Sequence, residues 1–169
     1  LGLDGKYVAT NFIDLLPAAQ RALPLDAYWR RILDADPAVH GPLARAWSDT
    51  ERVLSEHVPG RTRLDRDSLN SSRPLPATPF MEAHYFQNDC FMAPNQLMAQ
   101  AGRLGGIRGI IVQGRYDLLC PPATSHALGA AWPGAEIRVV GGAGHSLYDP
   151  GVRDAVMKAV ADLASAISA

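Results

Sequence analysis

From Asp26 to Leu33 the apolar residues Tyr28, Trp29, Ile32 and Leu33 recur at helical spacing, which predicts a short amphipathic helix that Pro37 then breaks. A second helix is expected from about Pro42 to Glu56, where Leu43, Trp47, Thr50 and Leu54 share one face. Between Gly60 and Pro79 the periodicity disappears. Glycine, serine, proline and arginine follow one another there, the composition of a loop. Phe80 to Phe91 is dense in aromatic residues and fits either a helix or an irregular segment.

The pattern changes from about Gly105. Gly109-Ile110-Ile111-Val112-Gln113-Gly114 is a short apolar run bounded by glycines, which suits a strand buried on both faces of a parallel sheet. Pro121-Pro122 opens a helix that ends near Trp132-Pro133, and Glu136 to Val140 reads as the next strand. After the turn Gly141-Gly142-Ala143-Gly144, a last helix is expected with Asp149 as N-cap and Pro150 at its first position. Val152, Val156, Val160, Leu163 and Ile167 would form its apolar stripe. The alternation of helix and strand predicts an α/β fold with a parallel sheet. Two strands do not complete such a sheet, and nothing else in the chain is expected to pair with the other edge of the first strand or to cover both its faces. The chain therefore reads as part of a larger sheet.

Composition narrows the classes. The 169 residues are 47% hydrophobic and 20% charged, which excludes wholesale disorder. Sixteen basic against seventeen acidic residues leave a net charge of −1, so neither a nucleic-acid partner nor an electrostatic membrane anchor is expected. No apolar run approaches the roughly 18–20 residues of a membrane span, and no basic head with an apolar body opens the chain. Cys90 and Cys120 are too few for a disulfide framework and suit a reducing, cytoplasmic setting.

Two residues carry candidate chemistry. Asp117 follows the first strand after Arg115-Tyr116, and His145 follows the second after the glycine turn. Catalytic groups of open α/β sheets collect at the carboxyl ends of strands, so both would project from one edge. Taken singly, each is more often a turn residue. As an ordered pair they fit the back half of a Ser…Asp…His triad, in which the carboxylate holds the imidazole in one tautomer and the imidazole takes a serine proton. The five histidines and two cysteines lack metal-ligand spacing, and the glycine turn is not followed by the elements of a dinucleotide site, so no metal or cofactor is expected. Each cysteine reads as a small buried hydrophobe rather than an attacking thiol.

The stretch VQGRYDLLCPPATSHALGAAWPGAEIRVVGGAGHSLYDPGVRDAV resembles the C-terminal segment of proline iminopeptidases, α/β-hydrolases with a helical cap. Upstream, ARAWSDTE resembles that family's Trp-Ser-x-x-Glu cap helix, and MEAHYFQNDCF is similar to its Glu-Asn-His-Tyr-Phe segment. The likeness runs from about Asp26 to Pro150. Ala83 replaces the usual Asn, Thr50 stands where an aromatic residue is common, and Asp89-Cys90 replace a glycine pair. These departures touch the pocket wall and so bear on side-chain preference rather than reaction type.

The resemblance implies a helical cap segment over residues 1–93 and the C-terminal part of an α/β-hydrolase core over 94–169, an incomplete hydrolase fold. It implies Asp117 and His145 as triad acid and base. It implies that Glu51 and Glu82 on the cap hold the free α-amine of a peptide with N-terminal proline. The chemistry agrees, since a charged amine in a desolvated pocket is best held by carboxylates. Read without the family, Glu51 is a solvated helix face and Glu82 a partner for an arginine.

No nucleophile is visible. None of the serines at 48, 55, 68, 71, 72, 125, 146, 165 and 168 has glycine both two before and two after, and Ser146, with Gly144 two before it, comes nearest. In α/β-hydrolases the nucleophile elbow and oxyanion hole lie upstream of the cap. The chain alone is therefore expected to be inactive, and the unpaired edge of its first strand makes the upstream half of the hydrolase, or a second copy of the chain, the expected partner. Two alternatives stay open: an esterase or amidase without proline selectivity, and a non-catalytic binding protein that lost the elbow.

Overall fold

The computed structural model describes residues 12–57, 69 and 71–167. The chain divides into two compact units. One comprises Leu1–Val53 with Arg61–Ala93, and the other Leu54–Gly60 with Pro94–Ala169.

The first unit is helical. Helix α1 (Pro24–Ile32) begins on a proline and buries Ala27, Tyr28, Trp29 and Ile32, while Leu33 lies just beyond it and is exposed. Helix α2 (Pro37–Ser55) starts five residues earlier than the pattern suggested. Pro37 opens this helix rather than only ending the previous one, because its fixed φ suits a first turn and Asp36 serves the free amides around it. The Asp36 carboxylate accepts the Ala38 N–H at 2.9 Å, and its carbonyl accepts those of Val39 and His40. Pro42 then sits inside the helix, where it forgoes one backbone hydrogen bond. The aromatic segment resolves into helix α3 (Thr78–Gln87) followed by a 3-10 turn at Asp89–Phe91. Of the expected loop between Gly60 and Pro79, residues 60–68 and 70 lie outside the described residues.

These helices close on a core of Leu16, Ala27, Tyr28, Trp29, Ile32, Leu43 and Ala83, flanked by Phe12, Leu15, Trp47 and Phe80. Phe12 stacks on Tyr28 at 3.8 Å, and Trp29 meets Trp47 edge-on at 4.5 Å. Each fully buried side chain of this size contributes about 1.5–3 kcal/mol. The Tyr28 hydroxyl, raised well above its ordinary pKa by burial, donates to the Phe12 carbonyl at 2.7 Å. Its desolvation is thereby compensated.

The second unit is α/β. Strands β1 (Gly109–Gly114) and β2 (Ala135–Val140) pair in parallel, Ile111 opposite Ile137 and Gly114 opposite Val140. Helix α4 (Pro122–Ala131) crosses between them, and α5 (Val152–Ile167) follows. Alternation along the strands assigns each helix a face. Ile111 and Ile137 meet α4 at Gly129, and on the same face Ser125 of α4 donates to Gln113. On the other face, Arg138 of β2 reaches Asp162 of α5 at 2.8 Å.

One helix thus lies on each face of the pair and covers it in part, where nothing in the chain was expected to cover both faces of β1. No third strand joins the sheet among the described residues, and Ile110, Ile111 and Val112 remain half-buried. The stripe on α5 is correspondingly uneven. Val152 and Ala159 are buried, Val156 and Leu163 half-buried, and Val160 and Ile167 exposed. Among the described residues no helix is long and apolar enough to cross a membrane.

Candidate active site

Asp117 and His145 meet in the second unit. After β1 the chain turns at once: the Arg115 N–H donates to the Val140 carbonyl at 3.0 Å and the Tyr116 N–H to that of Ala143 at 2.9 Å. These bonds fasten the end of β1 to the end of β2. The approach is so close that a Cβ on Gly114 would strike the Gly144 carbonyl oxygen, so only glycine fits there. Gln113, buried at the strand end, donates to the carbonyls of Gly114 (2.9 Å) and Cys120 (3.2 Å), bracing the loop between them.

Asp117 is 7% exposed, and both its oxygens are engaged. Oδ1 accepts the N–H groups of Leu119 (2.9 Å) and Cys120 (2.8 Å), while Oδ2 lies 2.9 Å from Nδ1 of His145. A carboxylate held by two amides cannot swing, so it selects the imidazole tautomer with the proton on Nδ1. That leaves Nε2 as the basic nitrogen, on a side chain that is 45% exposed. The pair can accept a proton at Nε2 and stabilise the resulting imidazolium.

Cys120 departs from expectation, since it is exposed rather than buried; Cys90 is half-buried. Partial burial and the Asp117 charge push the Cys120 thiol above its ordinary pKa, which argues against a thiolate nucleophile. Among the described residues no three His, Cys, Asp or Glu side chains are grouped to hold a metal ion.

Glu51 and Glu82 meet in the first unit, on α2 and α3. Trp47, one turn before Glu51, donates its Nε1–H to Glu82 Oε2 at 2.6 Å, a bond the sequence reading did not foresee. Burial, then the Glu82 charge and a hydrogen bond with Glu82, push the Glu51 carboxyl up to about 7. Near neutral pH the Glu51 carboxyl is therefore only partly ionised, a charge state that an entering ammonium would change.

This pair makes stability fall with pH. Because the folded-state value lies above the unfolded one, the native chain binds more protons than the unfolded chain between about pH 4.5 and 7. Stability is lost as pH rises through that window. Solvent access to Glu51 limits the effect to about 1 kcal/mol. Glu51→Gln, which keeps the hydrogen bond without the ionisation, should raise Tm at pH 8 and leave it unchanged near pH 4.5. Thermal melts across that range check this, and an equal shift at both pH values would contradict it.

Asp149 also differs from expectation. Helix α5 begins at Val152, and the Asp149 side chain does not cap it. Its carboxylate instead accepts the Gly144 N–H at 2.6 Å and the His57 N–H at 3.2 and 3.3 Å. His57 in turn stacks on Tyr116 at 4.5 Å.

No family model matches the chain. It is 36% identical over 151 residues to a proline iminopeptidase of Xylella fastidiosa (strain 9a5c), covering 87% of this chain and 47% of that protein. The corresponding enzyme of Neisseria meningitidis serogroup A is 35% identical over 154 residues, 90% of this chain and 47% of that protein. That of Arabidopsis thaliana is 34% identical over 149 residues, 84% of this chain and 37% of that protein. The chain is therefore a sequence relative of the proline iminopeptidases, and it spans about half the length of the curated relatives it matches.

Proposed function

We propose that these residues are the C-terminal part of a cytoplasmic serine aminopeptidase that releases N-terminal proline from peptides, built on the α/β-hydrolase fold. The first unit would be its helical cap and the second the end of its core. The observation that carries the reading is the Asp117–His145 hydrogen bond at the carboxyl ends of neighbouring parallel strands. The similarity to proteins named proline iminopeptidases supports the substrate class.

In the reaction, His145 Nε2 takes the proton of a serine hydroxyl as its oxygen attacks the carbonyl carbon of the N-terminal residue. Asp117 stabilises the imidazolium, which then protonates the departing amine as the peptide C–N bond breaks. Water, deprotonated by the same nitrogen, frees the proline from the acyl-enzyme. Glu51 and Glu82 would hold the substrate's ammonium, an exopeptidase's means of reading a chain end. No metal, cofactor, nucleic acid or membrane enters this scheme.

The serine and the oxyanion hole would come from the upstream half of the hydrolase. Upstream strands would also pair with the open edge of β1, where apolar residues remain half-buried. An alkyl fluorophosphonate should label one serine upstream of Leu1 in the longer protein, and none of the serines within the 169-residue chain. Labelling of Ser146 or any other serine in this chain would overturn the assignment.

A further inference from the structure

We propose that Asp149 is a positioning residue for the active-site histidine, acting through the backbone of the loop that carries His145. The inference rests on the triad reading above. Glycine occupies three of the four positions before His145, namely Gly141, Gly142 and Gly144. Such a loop loses much conformational entropy when ordered and does not hold a side chain in place unaided. Gly141 and Gly142 are exposed, and nothing packs where their side chains would be.

The loop is held at the Ala143 carbonyl, which accepts the Tyr116 N–H, and at the amides of residues 144 to 146. The Gly144 N–H donates to Asp149 Oδ2 at 2.6 Å, and the N–H groups of His145 and Ser146 both donate to the Ser55 carbonyl, at 2.9 and 3.0 Å. Asp149 also accepts the His57 N–H, so one buried carboxylate joins the loop to the same distant segment that supplies the Ser55 carbonyl. Its own N–H closes the loop on the Ser146 carbonyl at 3.0 Å. Hydrogen bonds to a charged acceptor in a dry site are the strong kind, and two donors on one carboxylate define a geometry rather than a distance. Asp117, fixed by the amides of Leu119 and Cys120, cannot follow a wandering imidazole. The 2.9 Å bond between Asp117 and His145 therefore depends on Asp149.

The test compares Asp149→Asn and Asp149→Ala with the parent in the full-length protein. It measures kcat and KM on a prolyl amide, Tm, and the downfield proton resonance of His145 Nδ1–H with its pH titration. Asp149→Asn keeps the size of the side chain and one acceptor oxygen. It should lower kcat about 10- to 100-fold, the scale of a misplaced catalytic group, with KM within about twofold. The Nδ1–H resonance should shift or broaden at temperatures where the fold is intact. Unchanged kcat and resonance in both variants, with only Tm lowered, would overturn the proposal. Failure of both variants to fold would also count against it and make Asp149 a purely structural residue. A shifted resonance in a protein that releases no proline would leave the positioning role standing and remove the proposed reaction.

Discussion

His145→Ala in the full-length protein should lower kcat for release of N-terminal proline by about 10,000-fold or more, with little change in KM. The imidazole is the group on this chain placed to exchange a proton with a serine hydroxyl, and it enters only at the transition state. Asp117→Asn should cost about 1,000- to 10,000-fold, because an amide in place of Oδ2 can present an N–H to Nδ1 and favour the wrong tautomer. The two losses should not add. With His145 absent, Asp117 has no imidazole to orient, so the double variant should resemble His145→Ala alone. Steady-state kinetics on a chromogenic prolyl amide give these numbers. A fall of less than tenfold for His145→Ala would mean that another group carries the proton.

Glu82→Gln should lower kcat/KM for peptides with a free N-terminal amine by about 10- to 150-fold, corresponding to one lost hydrogen bond between charged groups at about 1.5–3 kcal/mol. The substitution keeps an oxygen for the Trp47 Nε1–H, which now reaches Glu82 at 2.6 Å, so local packing should survive. It also removes a charge that helps hold the Glu51 carboxyl up at about 7. Glu51 should then ionise at lower pH and take over part of the amine's charge, which keeps the loss below that of His145→Ala. Any slow reaction with N-acetylated substrates should be untouched. Equal losses on free and acetylated substrates would show that Glu82 supports the fold and does not read the amine.

The parts of this site that local pattern specifies were legible in the sequence. A glycine-bounded apolar run delimits β1 at Gly109 and Gly114, and the first polar residues after each strand include Asp117 and His145. What local pattern does not specify was misread. Asp149-Pro150 has the N-cap and first-position residues of a helix start, yet the carboxylate goes to Gly144 and to His57, which is 92 positions away. No short window can contain that competition. Local pattern makes Pro37 a break and Pro42 a start, whereas Asp36 satisfies the first-turn amides and lets one helix run through both. The placement of one helix on each face of β1 and β2 has no local signature, because it depends on which side of the sheet each helix returns to. The bond from Trp47 to Glu82 joins two helices and leaves no periodic trace.

If these residues serve an exopeptidase that reads a free N-terminal proline and works through the Asp117–His145 pair, the substrate preference of the full-length protein must show it. One measurement addresses it most directly: kcat/KM of the full-length protein on a prolyl amide, its N-acetyl derivative, an alanyl amide and a simple alkyl ester. The prolyl amide should be hydrolysed at least about 10-fold better than its N-acetyl derivative, as one lost charged contact requires, and better than the alanyl amide. His145→Ala should abolish the difference. Comparable rates on the acetylated amide or preference for the ester would contradict the exopeptidase assignment, and no hydrolysis of any of the four would contradict catalysis itself.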